Sequence, residues 1–477
     1  MLDSRIWPLT ATLSPAGHLL VGGCDTVALA YSHGTPLYLL DEATIRQNCR
    51  DYRAALARHY PGPVSIHYAS KAMLNLPLAQ LITQEGLGLD VVSGGELFVA
   101  LRAGADPAQI HLHGNAKPRA ELEQALAAGI GRIVVDTLDE LALLARLTTG
   151  RALAQPVMLR LAPGIAADTH SHIQTGQADS KFGLPLAALD TAATMLLAAP
   201  GLRLTGLHVH LGSQLFDTAP FVRAVDLLLE QTMRLRERHG LVVDEISPGG
   251  GVGVAYTPDQ PSPDLEGYAA TLGRALAEGC RRHGLTPLRL VVEPGRSIIA
   301  RAGVALYTVL ARKRFEQSGN ADLPDRACDP QPLAPNPQPL AVGYVHIDGG
   351  MADNIRPSLY GARYSVLLAN RAAEPATERV HIAGRFCESG DVLLRDAGLP
   401  AAMPDDLLAV ATAGAYTLSM ASNYNLAPRP ALLLVGGGRA TLMQRRETYA
   451  DLVARDLELD GGDHTQPARS LEREEMP

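Results

Sequence analysis

The feature that most constrains the fold is an alternation of helical and strand-like segments between residues 43 and 300. Residues 43–60 carry apolar side chains at helical spacing and stop before Pro61-Gly62, and Ala- and Leu-rich helical stretches recur after them. Short runs rich in β-branched residues separate these stretches: Val64–Ala69, Gly88–Val92, Gln109–Leu112, Ile133–Val135, Val157–Leu161, Leu204–His210, Val243–Ser247 and Leu288–Val292. Eight βα units over about 250 residues predict an α/β fold with a TIM-type (β/α)8 barrel over residues 43–302, although a doubly wound sheet fits the same pattern.

The pattern changes after residue 303. Short alternating runs bounded by turn residues predict an antiparallel β-domain over residues 303–456, and the extended segment within residues 1–42 is expected to complete it. Residues 317–341 are rich in proline and polar residues, which indicates an exposed insertion. The charged segment 457–477 is expected to be a flexible tail.

Composition excludes several classes of protein. Lys and Arg number 42 against 50 Asp and Glu, and a net charge of −8 does not favour nucleic acid as a partner. The five cysteines are widely spaced and include no CxxC pair, which argues against a disulfide framework and predicts no metal site. Neither a signal peptide nor a run of about 18 apolar residues is present, so a cytoplasmic protein without a membrane span is expected.

Two glycine-rich turns and a lysine mark the carboxyl ends of the predicted barrel strands. The turn Ser-Pro-Gly-Gly-Gly-Val-Gly at 247–253 follows the seventh strand, and Glu-Pro-Gly-Arg at 293–296 follows the eighth. Barrels of this type bind phosphate groups at these two loops. Lys71 ends the first strand, where it is either a Schiff-base lysine or an ordinary surface lysine.

Three further ionisable residues end buried strands. Glu293 is placed to keep the ring nitrogen of a pyridine cofactor protonated. His210 ends the sixth strand and is a candidate to stack on a flat ring or to hold a substrate. His208 is interpreted as a histidine of the core or one that supports a neighbouring ligand, because it lies farther from the mouth of the barrel.

Motifs from residue 35 to residue 455 resemble those of the fold-type III, alanine-racemase-like decarboxylases that depend on pyridoxal phosphate, and most closely the diaminopimelate decarboxylases. The motifs are YASKA (68–72), DVVSGGEL (90–97), HGN (113–115), HSHIQTGQADSKFGL (170–184), HVHLGSQ (208–214), PGGGVG (248–253), EPGRS (293–297), DGGMADNIRPSLYGARY (348–364), CESGD (387–391), GAYTLSMASNYN (414–425) and RPALLLV (429–435). The family fold is an eight-stranded barrel joined to a β-domain that includes the N-terminal strand, as the pattern of the chain also predicts.

The resemblance implies a role for each matching residue. Pyridoxal 5'-phosphate would be bound by Lys71, His210, Ser213, Gly250, Gly251, Glu293, Gly295, Arg296 and Tyr416. The substrate would be bound by Arg296, Arg356, Tyr360, Glu388 and Tyr416. The catalytic residues would be Lys71, His210 and the proton donor Cys387. In the family the Cys387-Glu388 loop reaches the active site of the partner subunit, which implies a homodimer with shared sites.

The implied reaction is the decarboxylation of meso-2,6-diaminopimelate to L-lysine and CO2, the last step of lysine biosynthesis. Ornithine- and arginine-type decarboxylases share the cofactor residues and remain an alternative, although the motifs at 355–361 and 387–391 favour diaminopimelate. A racemase is disfavoured because both domains resemble the decarboxylases. A non-catalytic cofactor-binding homologue is disfavoured by the presence of Lys71 together with Cys387 and Glu388.

Overall fold

The computed structural model describes residues 2–164, 181–315 and 341–457. Its helices are α1 (Thr26–His33), α2 (Glu42–His59), α3 (Leu76–Gln84), α4 (Gly94–Arg102), α5 (Arg119–Ala128), α6 (Leu138–Leu147), α7 (Leu189–Leu197), α8 (Ala219–His239), α9 (Leu265–Arg282), α10 (Arg296–Ile299), α11 (Arg356–Tyr360) and α12 (Tyr449–Leu452). Its strands as far as the end of the barrel are β1 (Thr12–Leu13), β2 (Leu19–Val21), β3 (Cys24–Asp25), β4 (Leu37–Asp41), β5 (Val64–Ala69), β6 (Gly88–Val91), β7 (Ile110–Leu112), β8 (Arg132–Val135), β9 (Gln155–Ala162), β10 (Leu184–Pro185), β11 (Leu202–His208), β12 (Glu245–Gly249) and β13 (Arg289–Val292). The remaining strands are β14 (Gly303–Arg314), β15 (Gly343–Ile347), β16 (Val366–Leu368), β17 (Glu378–Ala383), β18 (Val392–Leu399), β19 (Leu407–Ala411), β20 (Ala431–Gly436) and β21 (Arg439–Gln444).

Eight parallel strands form a closed barrel. Their order is β9, β11, β12, β13, β5, β6, β7 and β8, and a further pairing of β8 with β9 closes the ring. A doubly wound sheet keeps two open edges, so this closure excludes it. The predicted TIM-type barrel is therefore confirmed, and the side chains that end its strands are collected around one mouth.

Helix α2 corresponds to the helix expected from residues 43–60. The Asp41 side chain caps its first turn by accepting from the Thr44 backbone N–H, and the helix ends one residue before Tyr60. Its apolar face packs against α9 and α10 on the outside of the barrel. The apolar residues that recur with a period of 3.6 in the sequence thus form the buried face of this helix.

The ends of three barrel strands differ from the sequence expectation. Strand β5 ends at Ala69, so Lys71 lies in the short 3-10 turn that follows it and does not end the strand. Strand β11 ends at His208, and His210 lies two residues beyond it. Strand β12 ends at Gly249, which has a φ of +80° and turns the chain at a point that apolar patterning does not mark.

The second sheet has the order β18, β17, β15, β14, β4, β20 and β21, and β19 joins β14 to β16. The N-terminal strand β4 lies between β14 and β20, so the expectation that the N-terminal segment completes this sheet is confirmed. Most pairings are antiparallel, but β20 with β4 and β15 with β17 are parallel. The sheet is therefore mixed. Parallel pairing of β15 with β17 is possible because the segment that joins them is long enough for a crossover.

Three expectations lie wholly or largely outside the described residues: the insertion at 317–341, the tail at 457–477 and most of the motif at 170–184. Within the described ranges, no helix is both long and apolar enough to cross a membrane. Cys24, Cys49, Cys280 and Cys387 are free thiols.

Candidate active site

A cavity of about 440 Å³ lies at the mouth of the barrel, between the ends of its strands and the loops of the second domain. Its lining includes the predicted residues Lys71, His210, Ser213, Gly251, Glu293, Gly295, Arg296, Arg356, Tyr360 and Tyr416. A second cavity of about 310 Å³ shares Lys71, His210 and Glu293 with it. The Lys71 side chain is exposed, and it lines both cavities.

Glu293 is a buried carboxylate with two donors fixed around it. The Ser247 hydroxyl donates to Oε1 at 2.8 Å, and His208 Nε2 lies 3.1 Å from Oε2. Burial alone would raise the pKa of Glu293, but the charge of the neighbouring histidines and these hydrogen bonds outweigh it and hold the pKa well below its ordinary value. The carboxylate therefore stays ionised, and the interpretation of His208 as a supporting histidine agrees with its position.

Asp90 and His113, for which the sequence predicts no role, also lie beside this carboxylate. His113 Nε2 lies 3.6 Å from Glu293 Oε1 and 3.7 Å from Asp90 Oδ1. Burial and the Glu293 charge raise the pKa of Asp90 well above its ordinary value, and burial lowers that of His113. Their signal in the sequence was their position at the ends of β6 and β7, within two of the motifs.

His113, His208 and Glu293 bring three possible metal-ligand atoms within 4.8 Å of one another. Such a set could in principle hold a cation. In this structure His208 and Glu293 already bond to each other, which assigns the imidazole as a partner of the carboxylate.

The glycine turns allow three loops to approach closely. A Cβ atom on Gly250 would lie 2.0 Å from the Glu293 carbonyl oxygen, and one on Gly251, which has a φ of +108°, would lie 2.3 Å from the Gly212 carbonyl oxygen. The Gly250 N–H also approaches His210 Nδ1 at 3.4 Å. Burial lowers the pKa of His210 well below its usual range, so its imidazole is neutral.

Arg296 and Arg356 form the cationic wall of the cavity. Arg296 donates to the Ser213 hydroxyl at 3.1 Å and to the Tyr256 hydroxyl at 2.6 Å. Arg356 donates to the Tyr364 hydroxyl at 2.6 Å. Both guanidinium groups are buried, and among the described residues neither has an ion pair with a carboxylate. Tyr256 has no signal in the sequence, because it lies outside the motifs that imply a role.

Tyr416 and Tyr360 complete the wall. The Arg296 guanidinium carbon lies 4.6 Å from the centre of the Tyr416 ring. Tyr416 has a φ of +59°, and its backbone N–H donates to the Ala72 carbonyl, next to Lys71. Tyr360 is half-buried at the end of α11. The second domain therefore supplies one side of the cavity.

Cys387 and Glu388 are not among the residues that line either cavity. Both are exposed. The Cys387 N–H donates to the Asn425 side chain at 3.0 Å, and the Cys387 carbonyl accepts from the Tyr424 hydroxyl at 3.3 Å. All the predicted cofactor residues except Gly250 line these cavities, together with four predicted substrate residues, Arg296, Arg356, Tyr360 and Tyr416. Cys387 and Glu388 do not join them within the single chain.

The donor set of the cavity fits pyridoxal phosphate. Glu293 offers an ionised carboxylate to a protonated ring nitrogen, and Lys71 offers a primary amine in the same cavity. Ser213, Arg296 and the two glycine loops offer hydroxyl, guanidinium and backbone donors of the kind that phosphate accepts. These complementary groups are the basis for assigning the cavity to this cofactor.

Comparisons with known proteins agree with this assignment. Residues 42–300 match the family model described as "Pyridoxal-dependent decarboxylase, pyridoxal binding domain". The chain is 41% identical to the diaminopimelate decarboxylases of Synechocystis sp. (95% of this chain and 93% of that one) and Bacillus subtilis (95% and 98%). The structure of diaminopimelate decarboxylase from M. jannaschii in complex with L-lysine superposes with a TM-score of 0.83 at 31% identity, over 94% of this chain and 98% of that one. The chain therefore belongs to the pyridoxal-dependent decarboxylases, in the branch formed by the diaminopimelate decarboxylases.

Proposed function

We propose that this chain removes the carboxylate from one end of meso-2,6-diaminopimelate as CO2 and releases L-lysine, with pyridoxal 5'-phosphate as cofactor. The observation that carries the proposal is a pair of buried arginines in the same cavity as Lys71 and Glu293, neither of which forms an ion pair with a carboxylate of the described residues. A buried cation needs a counter-charge, and a substrate with a second carboxylate supplies one.

The cofactor, when bound, supplies an electron-withdrawing ring that accepts the electron pair left by departing CO2. Glu293 keeps a proton on the ring nitrogen because its own pKa is held low by its neighbours. Lys71 Nζ, which lines the cavity, would hold the cofactor there. His210 faces the same cavity as a neutral, flat ring suited to stacking.

The arginine pair separates this reaction from its alternatives. Ornithine and arginine end in a cation beyond the reacting centre, and such a group would be repelled by Arg296 and Arg356. Diaminopimelate ends in a second amino acid head, whose carboxylate can accept from both guanidinium forks and from the Tyr360 hydroxyl. The cavity thus favours the dicarboxylic substrate.

The proposal includes a homodimer with shared active sites. Cys387 and Glu388 are exposed and do not line the cavity of their own chain, which leaves them available to a second copy. In that copy the Cys387 thiol donates the proton that replaces CO2, and Glu388 accepts from the distal ammonium of the substrate. We place the activity in the cytoplasm, in line with the free thiols at Cys24, Cys49 and Cys280.

The experiment is an assay of CO2 release and lysine formation from meso-diaminopimelate, with L-ornithine and L-arginine as competing substrates. A higher kcat/KM for diaminopimelate supports the proposal. A higher kcat/KM for either basic amino acid assigns the alternative activity, and absence of CO2 release from all three by fully loaded protein supports the non-catalytic homologue.

A further inference from the structure

We propose that Tyr256 is the positioning residue that makes the cavity selective for a carboxylate at the far end of the substrate. Its side chain contacts both Arg296 and Arg356 and directs them to one region of the cavity. The inference deepens the proposed function and rests on it. Tyr256 itself lines the cavity.

The two contacts use different parts of the same side chain. The Tyr256 hydroxyl accepts a hydrogen bond from Arg296 Nη1 at 2.6 Å. The Arg356 guanidinium carbon lies 4.7 Å from the centre of the Tyr256 ring, within the range of a cation–π contact. Two like charges are thereby held close to each other by one intervening phenol.

The phenol is fixed in place by its surroundings. The Tyr256 backbone N–H donates to the Gln260 side chain at 2.7 Å, and its carbonyl accepts from the Ser365 hydroxyl at 2.9 Å. The ring packs edge to face on Tyr364 at a centroid distance of 5.4 Å. Since Tyr364 in turn accepts from Arg356, the arginine is held from two sides.

The electrostatics of the cluster explain why a carboxylate completes it. The described residues provide no ion pair to Arg296 or Arg356, although both are at least nine-tenths buried. Burial raises the pKa of Tyr256, and the two guanidinium groups outweigh that effect and leave the pKa below its ordinary value. The phenol oxygen is therefore a partial counter-charge, and a substrate carboxylate supplies the remainder.

The change Tyr256→Phe keeps the ring beside Arg356 and removes the hydroxyl, which accepts from Arg296 and also interacts with Arg356. Ligands with a carboxylate at the far end should bind more weakly, because the Arg296 guanidinium loses the hydrogen bond that orients it. Ligands without that carboxylate should be unaffected. The expected loss is about tenfold or more, the fold-change that follows from one hydrogen bond to a charged group.

The product and its decarboxylated analogue provide a matched pair of probes. L-lysine retains the distal carboxylate, and cadaverine is the same molecule without it. We would titrate cofactor-loaded wild-type protein and Tyr256→Phe with each compound by calorimetry. The expected result is that the variant binds lysine at least tenfold more weakly and cadaverine within about twofold of the wild type.

Tyr60→Phe is the control for loss of a buried hydroxyl. Tyr60 is 2% exposed and donates to the Leu288 carbonyl at the opposite end of the barrel, so this variant should bind both compounds as the wild type does. In steady-state assays Tyr256→Phe should raise KM for diaminopimelate about tenfold while kcat changes by less than about threefold. The visible absorbance of the cofactor verifies equal loading.

The outcomes distinguish failure of the role of Tyr256 from failure of the proposed function. Equal weakening of lysine and cadaverine, or unchanged lysine binding, in Tyr256→Phe overturns the role of Tyr256 and leaves the proposed function standing. Wild-type protein that binds cadaverine as tightly as lysine overturns the carboxylate subsite on which the proposed function rests. A selective loss of lysine binding supports both.

Discussion

The charged side chains at the mouth of the barrel differ in whether the protein itself neutralises them. Glu293 is buried with Ser247 and His208 bonded to its two oxygens, so its charge is compensated from within the fold. Arg296 and Arg356 are equally buried, and their partners among the residues that the structure describes are hydroxyl groups and aromatic rings. Burial of a charge without a counter-ion is costly, which supports the proposal that the two arginines bind a carboxylate of the ligand.

Arg356→Ala should lose activity on meso-diaminopimelate and retain the visible absorbance of the bound cofactor. Its guanidinium faces the cavity from the second domain, and its removal leaves the substrate carboxylate short of a buried partner. Such truncations cost about 2–5 kcal/mol, so kcat/KM should fall about 30- to several thousand-fold. The measurement is steady-state kinetics on protein of equal cofactor content.

Arg395→Ala, which alters an exposed arginine outside the cavity, is the control and should keep near wild-type kinetics. Near-normal activity of Arg356→Ala on diaminopimelate would show that this arginine does not bind the substrate.

Lys71 should carry the cofactor covalently. Its side chain is exposed within the cavity that also contains Glu293, whereas Lys117 is buried and already bonded to Glu140 and two carbonyls. Treatment of the yellow protein with borohydride should fix the cofactor to the peptide that contains Lys71, as detected by mass spectrometry. Lys71→Ala should incorporate none, and labelling of Lys117 or another lysine would contradict the assignment.

At the scale of elements, the sequence predicts where the strands lie better than it predicts where they end and which residues of different elements meet. Each of the eight barrel strands overlaps one of the predicted runs, because burial on both faces selects apolar and β-branched residues, but β11 and β12 are displaced by two residues. Strand ends and the approach of the loops depend on glycine backbone conformation, as at Gly249 and Gly251. Asp90, His113 and Tyr256 were missed because their meeting with Glu293 or the arginines depends on the closure of the ring and on domain contact, which have no local signal.

Strands β4 and β14 and the loop before α11 are joined by a buried polar cluster. The hydroxyls of Tyr38 and Tyr307 donate to Asp353 Oδ2 at 2.9 and 2.5 Å, and the Gly350 N–H donates to Oδ1. Burial raises the pKa of Asp353 to about 6, from an ordinary value of 3.8. Because α11 begins at Arg356, this cluster fixes the segment that carries this proposed substrate-binding residue.

The stability contributed by Asp353 should depend on pH. A carboxyl group with a raised pKa favours the folded state most below about pH 4, and this contribution is lost as the pH rises through about 6. The difference in pKa corresponds to about 3 kcal/mol. Asp353→Asn, which has no charge to bury, should be more stable than the wild type above pH 6 and should lack this pH dependence.

Thermal unfolding from pH 4.5 to pH 8 measures the effect. Asp244→Asn, at a side chain that is 63% exposed, is the control and should follow the wild-type profile. A wild-type profile that Asp353→Asn leaves unchanged would show that this carboxyl group does not titrate between those limits.

At the scale of the whole molecule, one chain assembles a cofactor cavity and displays the proposed acid elsewhere. The cavity combines the barrel mouth with Arg356, Tyr360 and Tyr416 of the second domain. Cys387 and Glu388 lie on an exposed loop, which Asn425 and Tyr424 hold by hydrogen bonds to the Cys387 backbone. A loop anchored in this way can present its side chains to a second copy at little entropic cost.

Mixing two inactive variants should therefore restore activity. In a dimer of Lys71→Ala with Cys387→Ala, one of the two sites combines an intact Lys71 with an intact Cys387 only if the thiol acts across the interface. Random exchange at equal concentrations makes half of the dimers hybrids with one complete site each, so about a quarter of wild-type activity should return. The control mixes Lys71→Ala with the Lys71→Ala/Cys387→Ala double variant, in which no site has Lys71 and no activity should appear. Confirmed subunit exchange without recovered activity would mean that Cys387 does not complete the site of a partner chain.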